Sequence, residues 1–237
     1  MLFLTVTVVL TVLLYVGGPL LARLHAVPPI AGFAVFVLSS LPGVLALFAG
    51  GVVLMQGDRW RGATGLVIGL VPIATLALGL VKARHIPPIN DISTNLDNPP
   101  QLTVAAQAPE NRGKDLAYPE AFKAQVAEGY DGLISLQLQL PADAAFRLAR
   151  DVAAKRPDWT LTRIDPATLT LEGEETSGIF QFTDDFVIRI LPLDGSAQVD
   201  MRSRSRVGKG DFGANARRIR DYFAALSAAA AGTVASR

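Results

Sequence analysis

The stretch VDMRSRSRVGKGDFGANARRI, residues 199–219, decides how the second half of this chain folds. As far as position 206 it alternates, with Asp200, Arg202, Arg204 and Arg206 on one side of an extended chain and Val199, Met201 and Ser203 on the other. Successive side chains of a strand point to opposite faces, so this is a strand with one charged face. Gly208, Gly210 and Gly213 end it. Asp211 stands where a helix N-cap acceptor belongs. Phe212, Ala216, Ile219, Phe223 and Leu226 then recur at the spacing of one helix face.

The residues before this stretch continue the pattern. LISLQLQL, residues 133–140, alternates apolar and polar and reads as a half-buried strand. Pro141 opens a helix with Ala145, Phe146, Ala149, Val152 and Ala153 on one face, closed by Arg156-Pro157. Short strands are expected at 159–164 and 168–172, joined by the turn opener Asp165-Pro166, and longer ones at 179–191 and 197–206 around Asp194-Gly195. The order strand, helix, four strands, helix predicts a compact α+β domain over residues 133–230, with a tail at 231–237. An antiparallel sheet of this kind buries one face under helices and can leave the other free. Its order resembles the β-α-β4-α arrangement of the TATA-binding-protein-like fold, a likeness of shape that implies no function. Residues 86–132, rich in proline and polar residues, read as an extended linker packing on the domain, with a short helix at 119–127.

Toward the N-terminus the composition changes. The chain of 237 residues is 50% hydrophobic and 18% charged. Residues 1–90 hold only six charged side chains, Arg23, Asp58, Arg59, Arg61, Lys82 and Arg84, so the rest is 25% charged, as in an ordinary soluble domain. The charge-free runs at 2–21, 30–55 and 63–81 match the roughly 20 helical residues that cross a hydrocarbon core. A three-helix membrane anchor over residues 1–85 is therefore expected, bent near Pro42-Gly43 and at Pro72. The first run lacks the basic leader and small-residue cleavage site of a signal peptide. No ionisable residue lies at mid-membrane depth, which opposes a transporter or proton relay. Ala46-x-x-x-Gly50 and Gly65-x-x-x-Gly69 predict close helix approach within the anchor. The positive-inside count sets Arg59 and Arg61 against Arg23, Lys82 and Arg84, a slight bias toward a cytoplasmic domain.

The residue inventory restricts the chemistry. There is no cysteine, and the two histidines, His25 and His85, belong to the anchor half. The soluble part therefore lacks a Ser-His-Asp triad, a Cys nucleophile and a His/Cys zinc site. The histidines themselves follow helices and precede Pro-Pro, and without a third ligand they make a poor metal site. Asp184 and Asp185 are the candidate paired carboxylates for acid/base work or a hard cation, yet neighbours on a strand diverge. The competing reading is a bulge or bend in which they pair with Arg189. Glu172, Glu174 and Glu175 read as a solvated turn.

Residues 196–220 carry seven Lys/Arg against two Asp, within a soluble part of net charge −3. Arg189, Arg202, Arg204, Arg206 and Lys209, with Asp184, Asp185 and Asn215, are thus candidates for binding an anion such as a lipid headgroup. The competing reading is a solvated sheet face paired with Asp. GKGDFG, residues 208–213, matches G-x-G-x-x-G, but no second strand follows and no acidic residue stands about 20 positions on. It reads as a glycine turn capped by Asp211, with no nucleotide and no cofactor implied. Nucleic acid is opposed by the net acidity and the absence of an aromatic platform.

Three segments carry a resemblance: ISTNLDNPP at 92–100, FTDDFVIR at 182–189 and the opening stretch at 199–219. Together they resemble the uncharacterised bacterial and plastid family called domain of unknown function 1499, over about residues 89–226 and outside the three helices. The resemblance implies no activity. It implies an exported or membrane-anchored protein, and hence a periplasmic domain, against the charge count. The expectation is a multi-pass protein of a bacterial inner membrane whose partners are the bilayer and an anionic lipid or membrane protein. It would act as a non-enzymatic binding or accessory domain. The alternatives are a structural subunit of a larger membrane complex and a carboxylate- or metal-dependent hydrolase using Asp184 and Asp185.

Overall fold

The computed structural model describes residues 1–235. The chain divides into two compact units, Met1–Arg84 with Ser177–Phe182, and His85–Thr176 with Thr183–Arg237.

The first unit holds α1 (Leu2–Arg23), α2 (Pro29–Leu38), α3 (Ser40–Met55) and α4 (Arg59–Ala83). Because α2 and α3 form one apolar run, there are, among the described residues, three helices long and apolar enough to cross a membrane, with mean hydropathies of 2.1, 2.2 and 2.2. The interruption falls at Ser39, one turn before the expected bend at Pro42-Gly43. A proline ring clashes with the carbonyl four residues earlier, here that of Leu38, so the disturbance appears upstream of the proline. The Ser39 and Ser40 hydroxyls donate back to the carbonyls of Phe36 and Val37 at 2.5 and 2.8 Å. Pro72, by contrast, lies inside the continuous helix α4.

Helices α3 and α4 meet through their small residues. A Cβ on Gly50 would stand 2.8 Å from the Gly62 carbonyl oxygen, and one on Gly65 would stand 2.9 Å from the Gly50 Cα. The small-residue pairs therefore serve packing inside the anchor. Asp58 caps α4 by accepting from the Arg61 amide at 3.2 Å.

The second unit contains β1 (Asp91–Ser93), α5 (Glu120–Gly129), β2 (Leu136–Leu138), α6 (Ala142–Ala154), β3 (Trp159–Asp165), β4 (Thr170–Thr176), β5 (Thr183–Leu193), β6 (Ser196–Ser205) and α7 (Ala214–Ala235). The six strands form one antiparallel sheet in the order β1-β6-β5-β4-β3, with β2 also pairing β6. The class is α+β, and the strand-helix-four-strand-helix order holds from β2 onward. Three details differ from expectation. β1 arises inside the linker and pairs Asp91 with Arg204 and Ser93 with Arg202 across the ladder. β4 extends through Glu172, Glu174 and Glu175, which are strand residues rather than a solvated turn. Helix α7 continues through 231–235, where a tail was expected, and positions 236–237 of that tail lie outside the described residues.

Helices α6 and α7 cover one sheet face. Phe186, Ile188, Ile190, Val199 and Met201 are all at or below 1% exposure there, against Ala149, Ala216, Ile219, Tyr222 and Leu226. Gly173 leaves space that a Cβ would take from the Phe186 ring. Trp159 packs 4.1 Å from that ring, centroid to centroid, and the Tyr222 hydroxyl donates to the Ala149 carbonyl at 2.9 Å. Phe212, expected on the buried face of the last helix, precedes it and is exposed.

The opposite face, which a sheet of this kind can leave free, is covered. Residues 94–116 cross it as a strap, and Leu102, Ala105 and Leu116 pack on Val187 in a second, smaller apolar cluster. The strap is too rich in proline to form long regular elements, so its backbone polar groups need other partners. Many are supplied by the charged face of the sheet.

Candidate functional site

Under the strap, each guanidinium of the alternating stretch meets a group of this same chain. Arg202 is 0% and Asp91 1% exposed. The Arg202 Nε and Nη2 donate to the two Asp91 oxygens at 2.9 and 2.7 Å, a bidentate pair. Its remaining donors reach the carbonyls of Pro100 at 3.2 Å and Leu116 at 2.8 Å, and the Tyr118 ring centroid lies 5.2 Å from its central carbon. Arg204 donates to the Asp115 carbonyl at 3.0 Å. Arg206 grips Asp185 through Nε and Nη2 at 3.0 and 2.7 Å and also reaches Glu174. Arg189 donates to Asp200 at 2.6 Å and to the Asn98 carbonyl at 2.6 Å. Asp200 is itself fully buried, and Asn95, Ser135 and Gln198 also donate to it. Glu172, 1% exposed, accepts from the amides of Thr103 and Val104 at 2.8 and 2.9 Å.

Asp184 and Asp185 diverge onto opposite faces, and the β5–β6 register runs through them without a bulge. Asp185 accepts from Asn111 at 2.7 Å as well as from Arg206, on the strap side. Asp184 faces α7 and accepts from Arg218 Nη2 at 2.6 Å. Neither pairs with Arg189. Two carboxylates separated by a sheet cannot act on one substrate atom or share one cation. Among the described residues no group of three or more His, Asp or Glu is placed to hold a metal ion.

On the α7 side, Arg218 joins Asp184, Glu175, Ser203 and Asn215 in one buried network. Asn215 donates to Ser205 at 3.0 Å and to the Asn90 carbonyl at 3.2 Å, tying the helix to the sheet edge. Burial alone would raise the Glu175 carboxyl. The hydrogen bond and charge of Arg218, with the Trp159 indole N–H, outweigh that and hold it below its ordinary 4.5. Lys209 is exposed in the glycine turn and makes no hydrogen bond or ion pair among the described residues. The turn is capped as its sequence predicts. Asp211 accepts from the amides of Gly213 and Asn215, both at 2.8 Å.

The eight candidates therefore separate. Asp185, Arg189, Arg202, Arg204 and Arg206 lie together beneath the strap, Asp184 lies under α7 beside Asn215 of that helix, and Lys209 stands apart. All but Lys209 have partners within the chain.

A different place in the same unit has uncommitted polar groups. A cleft of about 340 Å³ opens between the end of α5 and the first turns of α7, lined among others by Ile86, Tyr130, Phe212, Arg217, Arg220 and Asp221. Tyr130 is 6% exposed and its hydroxyl has no hydrogen-bond partner among the described residues. Burial, with Asp211 nearby, pushes that hydroxyl up to about 12, against the opposing pull of Arg220. Arg220 donates to the Asp131 carbonyl at 3.1 Å, and the Arg217 side chain has no hydrogen bond or ion pair among the described residues. Phe212 is held at φ +52° while 59% exposed, an unusual conformation for a bulky residue. Sequence reasoning missed this cleft because Tyr130 is far from α7 in the chain. The only visible sign was that Arg217 and Arg220 share a helix face, one turn apart, which Arg218 does not.

The fold and these features define a class: an α+β domain with a strapped sheet, carried on three apolar membrane-type helices. The chain belongs to the family described as Protein of unknown function (DUF1499), whose model matches residues 91–226, more than half of its length. Among curated proteins, none matches it. Of solved structures, Ara h 8.0201 is similar with a TM-score of 0.34 and 13% identity, over 41% of this chain and 94% of that one. The di-domain ARO/CYC BexL from the BE-7585A biosynthetic pathway is similar with a TM-score of 0.31 and 17% identity, over 39% of this chain and 43% of that one. Likeness at this level carries no argument about function.

Proposed function

We propose that this protein is a membrane-anchored, non-enzymatic binding or accessory module of the bacterial envelope, an inner-membrane protein with its α+β unit in the periplasm. The supporting observation is the contrast between two regions of that unit. Beneath the strap and under α7, arginines and carboxylates are buried against each other, where they hold the fold. In the cleft, the Arg217 side chain and the Tyr130 hydroxyl are left without partners among the described residues, the condition in which a concave site takes up a ligand. The periplasmic placement rests on the exported character that the family resemblance implies.

The test is purification of the full chain in a mild detergent, with identification of co-purifying lipids and proteins, beside a chain carrying Arg217→Gln and Arg220→Gln. Loss of a co-purifying species from the variant supports the reading. Retention of every species overturns it, as does a hydrolytic activity abolished by Asp184→Asn or Asp185→Asn. A reporter fused after Arg237 that is active only outside the cytoplasm supports the placement, and one active only inside refutes it.

A further inference from the structure

We infer that the cleft between α5 and α7 binds a singly charged phosphodiester, with Arg217 and Arg220 on its non-bridging oxygens and the Tyr130 hydroxyl as a third donor. This rests on the binding-module reading and gives it a ligand class. Three features of the cleft lead to it.

First, the donors require an acceptor with several arms. Arg217 and Arg220, one helical turn apart, and Tyr130 from another element line one cavity. A buried hydroxyl without a partner loses its hydration with nothing in return, so a ligand oxygen that meets it is favoured. Tetrahedral phosphate supplies acceptors in diverging directions and matches guanidinium geometry. Second, Asp221 in the lining and Asp211 near Tyr130 disfavour a second negative unit on the ligand. Asp221 lines the same cavity, so its carboxylate opposes a doubly charged phosphate monoester more than a diester. Third, the walls are partly apolar. Ile86 and Phe212 offer hydrocarbon surface beside the cationic groups, as an ester with glycerol or acyl substituents requires. Ile86 also follows the last apolar helix by only three residues in the chain. Phospholipid headgroups and soluble glycerophosphodiesters share this chemistry.

The test uses the full chain in dodecyl maltoside, which contains no phosphate, and isothermal titration calorimetry. The probes are short-chain phosphatidylglycerol, its deacylated glycerophosphodiester, and glycerol phosphate at about pH 8, where a monoester is close to doubly charged. Both diesters are expected to bind more tightly than the monoester. A lipid at least about tenfold tighter than its deacylated form assigns the site to lipid, and equal affinities assign it to the soluble ester. Arg217→Gln with Arg220→Gln is expected to weaken diester binding at least about tenfold at unchanged melting temperature, since both residues are exposed. Tyr130→Phe should weaken it several-fold. Asp221→Asn should raise affinity for the monoester more than for the diester. Absence of diester binding at about 1 mM, or binding indifferent to both arginines, overturns the inference. If diesters fail to bind while co-purifying species still depend on Arg217 and Arg220, only the ligand class is refuted. If those species are also indifferent, the binding reading falls with it.

Discussion

Asp91 and Arg202 show what charge does inside this domain. Removing two ions from water is costly, and their attraction offsets that cost only with good geometry and further hydrogen bonds. Here the pair is bidentate, and two strap carbonyls take up the remaining guanidinium donors. Asp91→Asn leaves a buried guanidinium without its counter-ion and is expected to cost about 3–5 kcal/mol. The double replacement Asp91→Leu with Arg202→Met should recover most of that loss. Urea unfolding of the full chain in detergent measures both, and an Asp91→Asn chain as stable as the parent would refute the structural role. Glu175 provides the pH dependence at this scale. Its folded-state value lies below its ordinary 4.5, so its contribution is complete above that value and is lost as pH falls through the lower folded one. Melting temperature should therefore decline on acidification below about pH 4.5, and Glu175→Gln should flatten the decline by up to one proton. An unchanged slope would show that other carboxylates dominate.

At the scale of elements, legibility followed periodicity. The alternation in residues 199–206 and the apolar spacing of residues 142–154 were readable because one period of side chains faces one core. β1 was not readable. Three residues in a proline-rich segment carry no period, and Asp91–Ser93 become a strand only because β6 offers a free edge. The acidic run at Glu172–Glu175 misled for a related reason. Acidic residues are rarely buried, and nothing local announces that Arg206, Arg218 and the strap amides await them. Phe212 misled because the helix it should have joined begins two residues later. In the anchor, the small-residue spacing was informative and the structure shows its purpose. Gly65→Val should force α3 and α4 apart, because a Cβ at that position already lies 2.9 Å from the Gly50 Cα. Gly51→Val should be tolerated, as a Cβ at Gly51 meets nothing within 4 Å. Melting of the two variants in detergent compares them, and equal losses would refute glycine-mediated packing.

At the scale of the whole molecule, the two units differ in the solvent they need. The anchor presents apolar side chains such as Phe48 and Leu80 at 72% and 67% exposure, whereas the second unit closes its own core between sheet, helices and strap. A fragment beginning at His85 is therefore expected to fold in water without detergent and unfold cooperatively. Circular dichroism in urea checks this, and a non-cooperative, detergent-dependent fragment would refute it.

The sequence by itself determined the three apolar helices, the α+β class, the strand and helix order from β2 onward, the Asp211 cap and the family. These depend on composition, periodicity and local hydrogen bonding, which neighbouring residues specify. Only the tertiary structure decided that the strap covers the sheet, that Asp184 and Asp185 face opposite ways with separate arginines, and that Tyr130 meets α7 across a cleft. These depend on which distant groups share a desolvated space, and a buried charge or hydroxyl is specified by partners that one-dimensional spacing does not reveal.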